Sequence, residues 1–158
     1  MHLQESKRVL RSSYLFRDLN EIHLDLVLMV CEEVNCVSGE VIFRQNDPGD
    51  ALYIIARGEV EILLEPESDA SKTIIAAVLE KDQVFGETIL VEEGQRTATA
   101  RCRTDAQLLR LPGKRLSRLC SDYPEIGFRI MQRMAAELTF KLRDANVNIR
   151  QRVEQGPE

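Results

Sequence analysis

Histidine and tryptophan are scarce in this sequence: 158 residues contain two histidines, His2 and His23, and no tryptophan. A bound metal needs several convergent His, Cys or carboxylate ligands, and no imidazole follows His23. That scarcity argues against His-ligated metal enzymes, and no Ser-His-Asp or Cys-His arrangement has motif support. The cysteines Cys31, Cys36, Cys102 and Cys120 show no CxxC spacing, so neither a zinc module nor a disulfide framework is indicated. Positive charge is not in excess: 21 Lys and Arg against 26 Asp and Glu give a formal net charge of -5, a poor basis for neutralising a nucleic-acid backbone. Long apolar runs are missing too. The window "IHLDLVLMV" is interrupted by His23 and Asp25 and falls far short of the roughly 20 residues of a membrane span. With no secretory leader pattern at the start, the expectation is one cytoplasmic domain, large enough to bury a core without staples.

What the sequence does have is a change of hydrophobic period. Residues 1–31 read as a helical lead-in, with Asn20 as candidate N-cap and Leu24, Leu28 and Cys31 at helical spacing. From Val34 the period becomes two: "GEVIFRQ", "ALYIIA", "RGEVEILL", "KTIIAAVL", "TATARCR" and "AQLLRLP" are short alternating runs separated by turn residues. Asp47-Pro48-Gly49 and Gly58 mark two reversals, read as two hairpins. About eight strands over 34–111 predict a mainly β, α+β fold, an eight-stranded β-roll or jelly roll.

After Pro112 the helical period returns. A short helix ends at Pro124, and from Glu125 the residues Phe128, Met131, Ala135, Leu138, Leu142, Ala145 and Ile149 alternate steps of three and four, a heptad seam. A helix from Glu125 to Arg150 would be about 39 Å long, more than a small roll needs to cover itself. The seam is therefore expected to make a homodimer, the alternative being that it packs on its own roll. Arg110, Lys114, Arg115 and Arg118 form a basic cluster assigned to the short helix, read as a solvated face. Residues 32–150 are the main domain and 151–158 a polar tail.

The stretch "FGETILVEEGQRTATARC", residues 85–102, carries the chemistry. Gly86 permits a close backbone turn, and "ETILV" can form a turn or two of helix whose free amides, with the helix dipole, favour an anion. Arg96 adds a charge-assisted, bidentate partner for phosphate. Glu87 repels phosphate and instead accepts from donors such as sugar hydroxyls. A compact sugar phosphate fits both; an ordinary surface ion pair is the plain alternative.

These residues resemble the phosphate-binding cassette of the cyclic nucleotide-binding domain family, found in catabolite activators, regulatory subunits of cyclic-AMP-dependent kinase and cyclic-nucleotide-gated channels. The pattern is Phe-Gly-Glu, an apolar helical turn, then Arg followed by a small residue and Ala. Upstream, Gly39, Gly49 and Gly58 in "GEVIFRQNDPGDALYIIARGEVEI" match the family's turn positions, and the resemblance runs from about Leu15 to Ile149.

The resemblance implies that Gly86 lies against the sugar phosphate, Glu87 accepts the ribose 2′-hydroxyl, the amides of Thr88 and Ile89 cap the cyclic phosphate and Arg96 pairs its exocyclic oxygens. Thr97 would touch phosphate or base, with Ile74 and Val84 at the base pocket. Departures from the pattern are Ile89 where Ala is usual, Gln95 where Pro is common, and Glu92 and Glu93, expected to face water. Lys141 and Leu142 stand where catabolite activators carry a base-contacting polar pair. The implied function is a regulatory sensor in signal transduction, without catalytic residues, metal or resident cofactor. It would bind cyclic AMP in preference to cyclic GMP, closing the cassette and moving the C-terminal helices. The long helix is not followed by the helix-turn-helix of the activators, so an effector protein is the expected partner, whether the chain acts alone or within a longer regulator. The alternative is a dimeric interaction scaffold built on a roll that has lost its ligand.

Overall fold

The computed structural model describes residues 1–156. Two helices, α1 (Leu3–Ser12) and α2 (Glu21–Val30), precede eight strands: β1 (Glu32–Cys36), β2 (Val41–Phe43), β3 (Ala51–Arg57), β4 (Val60–Leu64), β5 (Ile74–Leu79), β6 (Val84–Phe85), β7 (Thr99–Cys102) and β8 (Ala106–Pro112). Helices α3 (Gly113–Asp122) and α4 (Pro124–Gln155) follow. Asn20 caps α2, its side chain accepting from the His23 amide at 2.8 Å, which satisfies one of the orphan donors of a helix start. The lead-in is thus two helices joined by a loop that buries Ser13, Leu15, Phe16 and Leu19, and the chain enters a strand at Glu32, where the sequence pattern still favoured helix.

The strands form two four-stranded antiparallel sheets, ordered β1-β8-β3-β6 and β2-β7-β4-β5. This corrects the two expected hairpins. Asp47-Pro48-Gly49 joins β2 to β3 and Gly58 joins β3 to β4, and in both cases the strands belong to different sheets. Turn residues specify that the chain reverses; they do not specify which strand it then pairs with. Gly58, at φ +85°, is required at its corner because an added Cβ would meet the Asp105 carbonyl and the Ala106 backbone.

β3 shows why "ALYIIA" is apolar throughout. Successive strand side chains point to opposite faces. Leu52, Ile54 and Ala56 join the core beneath the helices, with Phe16, Leu24, Leu116, Ile126 and Ile130. Ala51, Tyr53 and Ile55 join the core between the sheets, with Val60, Phe85, Ala100 and Leu108. Fully burying each large side chain contributes about 1.5–3 kcal/mol, so this central strand anchors both layers.

α4 divides along its length. Ile126, Ile130 and Met134 are buried on the roll, whereas Phe128, Leu138, Leu142 and Ile149 of the heptad seam are exposed. The seam does not pack on its own roll. The helix also continues through Gln155, with Gly156 at its C-cap, so residues 151–155 of the expected tail are helical, and residues 157–158 lie outside the described residues. Arg110 belongs to β8, not to the short helix, and pairs with Glu32 at 2.7 Å and Asp50 at 2.9 Å. Among the described residues no helix is long and apolar enough to cross a membrane.

Candidate functional site

Between β6 and β7 the chain makes a short excursion that holds the charged residues. Gly86 ends β6 at φ +75°, and a 3-10 turn spans Glu87–Leu90. A Cβ on Gly86 would stand 2.7 Å from Arg96 Nη1 and 3.2 Å from the Ala51 carbonyl oxygen, so both conformation and space call for glycine. The excursion is laced to the β2–β3 connection. The Arg96 amide donates to Asp47 O at 2.7 Å, the Asn46 amide to Arg96 O at 2.8 Å and the Gly49 amide to Gly94 O at 3.0 Å. Gln95, where proline is common in the family, pairs with Pro48 in an isolated bridge.

Arg96 is the centre of this arrangement. Its side chain is only 4% exposed. Nη2 donates to the Ala51 carbonyl at 2.6 Å and lies 3.5 Å from Asp50 Oδ1, Nη1 donates to the Gly86 carbonyl at 3.3 Å, and Cζ stands 4.0 Å from the Phe43 ring centroid. Nε is buried and without a hydrogen-bond partner among the described residues. Burial lowers the guanidinium's pKa from its ordinary value, opposed by Tyr53 and Asp50; arginine remains a cation. Its one nearby carboxylate, that of the exposed Asp50, stands at 3.5 Å, and the other contacts are backbone oxygens, so the buried charge is only partly neutralised, which favours an anion at this point.

Glu87 sits half-buried at the head of the 3-10 turn. The Tyr14 hydroxyl is 3.5 Å from its Oε1. Burial raises the Tyr14 pKa above the ordinary tyrosine value, and the Glu87 and Glu137 carboxylates add to that.

A cavity of about 390 Å³ is lined by Val84, Gly86, Glu87, Thr88, Arg96 and Thr97, with Phe43, Ile62, Leu79 and Lys141 among the other residues of its wall. Pockets for small molecules begin near 300 Å³. A second cavity of about 480 Å³ shares Leu79, Val84, Glu87 and Lys141 and is lined also by Tyr14 and Glu137. Six of the eight residues expected at the site therefore share one cavity. Ile89 does not: its side chain turns behind the cassette, where a Cβ on Gly49 or Gly113 would meet it at 2.7 or 2.9 Å. Ile74 is also elsewhere, since it pairs with Leu64 in the second sheet and is 57% exposed. Its placement in the base pocket is corrected: β5 presents that side chain outward. Glu92 and Glu93 are exposed. Of the α4 pair, Lys141 reaches the cavity and Leu142 is exposed. Sequence reasoning missed Phe43, which follows only from its place beside Arg96, and Tyr14, for which the sequence holds no signal.

A roll of two sheets, helices packed on one side, and a buried arginine sharing a small cavity with a carboxylate define a β-roll domain with a candidate anion-binding cavity. More particularly, the chain belongs to the cyclic nucleotide-binding domain family, whose model matches residues 33–123. It is 31% identical over 140 residues to the Cyclic AMP receptor protein of Thermus thermophilus, covering 89% of this chain and 62% of that protein. It is 35% identical over 102 residues to the cAMP-dependent protein kinase regulatory subunit of Dictyostelium discoideum, covering 64% of this chain and 31% of that subunit. Among solved structures, the N-terminal domain of a transcriptional regulator from Streptomyces coelicolor A3(2) superposes with TM-score 0.76 at 29% identity, covering 87% of this chain and 94% of that one. The chain thus spans less than two thirds of the two relatives' own lengths.

Proposed function

We propose that this chain is a sensor module that binds a cyclic nucleotide at the Arg96–Glu87 cavity, with cyclic AMP preferred. The observation that carries this is the buried Arg96 guanidinium, with its Nε unpartnered among the described residues and only the exposed Asp50 carboxylate at 3.5 Å, sharing one cavity with Glu87. A cyclic phosphate supplies the anion, and a ribose hydroxyl supplies the donor for Glu87. The Thr88 and Ile89 amides would cap the phosphate, and Thr97 and Val84 would border the base. The names of the two relatives support the cyclic AMP preference. In this reading the ligand acts by binding more tightly to a closed cassette, to which α3 and α4 respond. The module is cytoplasmic and non-catalytic and passes the signal to an effector. The exposed apolar seam of α4 supports a homodimer through that helix.

One observation favours the second reading, a dimeric scaffold without ligand: Arg96 already holds the Ala51 and Gly86 carbonyls and so has a structural role of its own. Titration calorimetry with cyclic AMP and cyclic GMP separates the two. Saturable binding, tighter for cyclic AMP and lost in Arg96→Ala, supports the sensor. No heat with either nucleotide on the wild-type protein leaves the scaffold.

A further inference from the structure

We infer that Tyr14 is a positioning residue for Glu87, holding one carboxylate oxygen so that the other is presented to a ligand hydroxyl; the inference rests on the cyclic-nucleotide reading of the cavity. Tyr14 lies in the loop between α1 and α2, remote in sequence from the cassette, and its place is fixed from two sides. Its neighbours Ser13, Leu15 and Phe16 are almost wholly buried, and the Ser13 hydroxyl donates to Leu10 O at 2.7 Å. From the other side, Arg133 of α4 donates through Nε to the Tyr14 carbonyl at 3.2 Å and approaches Asp18 Oδ2 at 3.6 Å. The backbone that carries the phenol is thereby tied to both the core and the long helix.

Tyr14 lines the second cavity, and its phenol comes within 3.5 Å of Oε1 of Glu87, which borders both cavities. No other side-chain hydrogen bond to the Glu87 carboxylate occurs among the described residues. An ionised carboxylate accepts at both oxygens, so Tyr14 occupies one and leaves the second available. The distance is about half an ångström beyond the usual O–H···O range; the terminal torsion of a glutamate is broad, and binding-site hydrogen bonds that are long without ligand tighten when a ligand engages the group. The phenol stays protonated, and therefore a donor, because burial and the Glu87 and Glu137 carboxylates all disfavour its anion. A glutamate on a short turn loses rotamer freedom when it binds; a fixed donor has restricted it beforehand, which benefits ligands that use the carboxylate and no others.

Tyr14→Phe removes one oxygen and keeps the ring in place. Calorimetry on the full chain would compare cyclic AMP with its 2′-deoxy counterpart. Wild type is expected to favour the ribose form, and Tyr14→Phe to weaken that form about fivefold while leaving the deoxy affinity within about twofold, so the preference shrinks. In a Glu87→Gln background the Tyr14→Phe change should have no further effect on the ratio, because coupled residues act through each other. An unchanged ribose-to-deoxyribose ratio in Tyr14→Phe, or an equal loss for both ligands, overturns the positioning role and leaves the cavity reading intact. Absence of any nucleotide binding by wild type overturns both.

Discussion

Arg96→Met is the substitution with the most to decide, because it keeps an aliphatic stem and removes every donor and the charge. In the structure the guanidinium holds the Ala51 carbonyl at 2.6 Å and the Gly86 carbonyl at 3.3 Å and stacks 4.0 Å from the Phe43 ring. A hydrogen bond from a charged donor contributes about 1.5–3 kcal/mol, and the cation–π contact adds about 0.5–2 kcal/mol. Against this, the variant relieves the buried Nε that has no partner, returning about 1–2 kcal/mol. With two such bonds, the balance is a loss of about 1.5–7 kcal/mol, which at about 2–4 °C per kcal/mol lowers Tm by about 3–28 °C without any ligand. Differential scanning calorimetry measures it. Millimolar cyclic AMP should then raise the melting temperature of wild type and not that of the variant. A ligand-free variant melting at or above the wild-type temperature refutes the reasoning: the carbonyl contacts would then contribute less than burial of the charge costs.

Gly86→Ala and Gly39→Ala form a matched pair. Both glycines have positive φ, +75° and +86°, but only the Cβ at Gly86 meets Arg96, Gly39 having nothing within 4 Å. Each should lose about 1–2 kcal/mol in urea unfolding from backbone strain, and only Gly86→Ala should also weaken nucleotide binding in calorimetry. Ile130→Ala, at a position with no exposure, should lose about 2–5 kcal/mol in the same unfolding assay. Leu142→Glu, 65% exposed on the seam, should leave the unfolding of the monomer nearly unchanged and shift sedimentation towards the monomer. Tyr14 provides an alkaline prediction. Its folded pKa is raised, so its contribution to stability is full below the ordinary tyrosine pKa near 10 and is lost as pH climbs towards the folded value. In absorbance titration the component that disappears in Tyr14→Phe should ionise above the ordinary value.

The order of elements was readable because each has its own period. Alternation marked most of the strands, Asn20 marked a helix start, and the buried and exposed positions of α4 recur at helical steps. β1 and β6 were harder. "EEVNC" continues a helical-looking run and becomes a strand through pairing with β8, Val34 opposite Leu108. β6 has two residues, too few for any period. Within the site, the Gly86-Glu87 pair and Arg96 were legible because the conformational need for glycine and the charge of arginine are local properties. Ile74 was misplaced because apolar character does not reveal whether a side chain faces a cavity or water, whereas Ile89 was assigned through its backbone amide, on which the position of its side chain does not bear.

The sequence by itself determined that eight short strands would lie between helices, and that a glycine, a carboxylate and a lone arginine would share one excursion, since spacing, turn chemistry and charge act over a few residues. Only the tertiary structure decided which sheet each strand joined, and that α4 buries Ile126 and Ile130 while leaving its seam exposed. It also decided that Arg96 turns inward to two carbonyls and that Tyr14 meets Glu87. These outcomes depend on long-range packing, in which a side chain's partners come from segments far apart in the chain and brought together only when two cores close around β3.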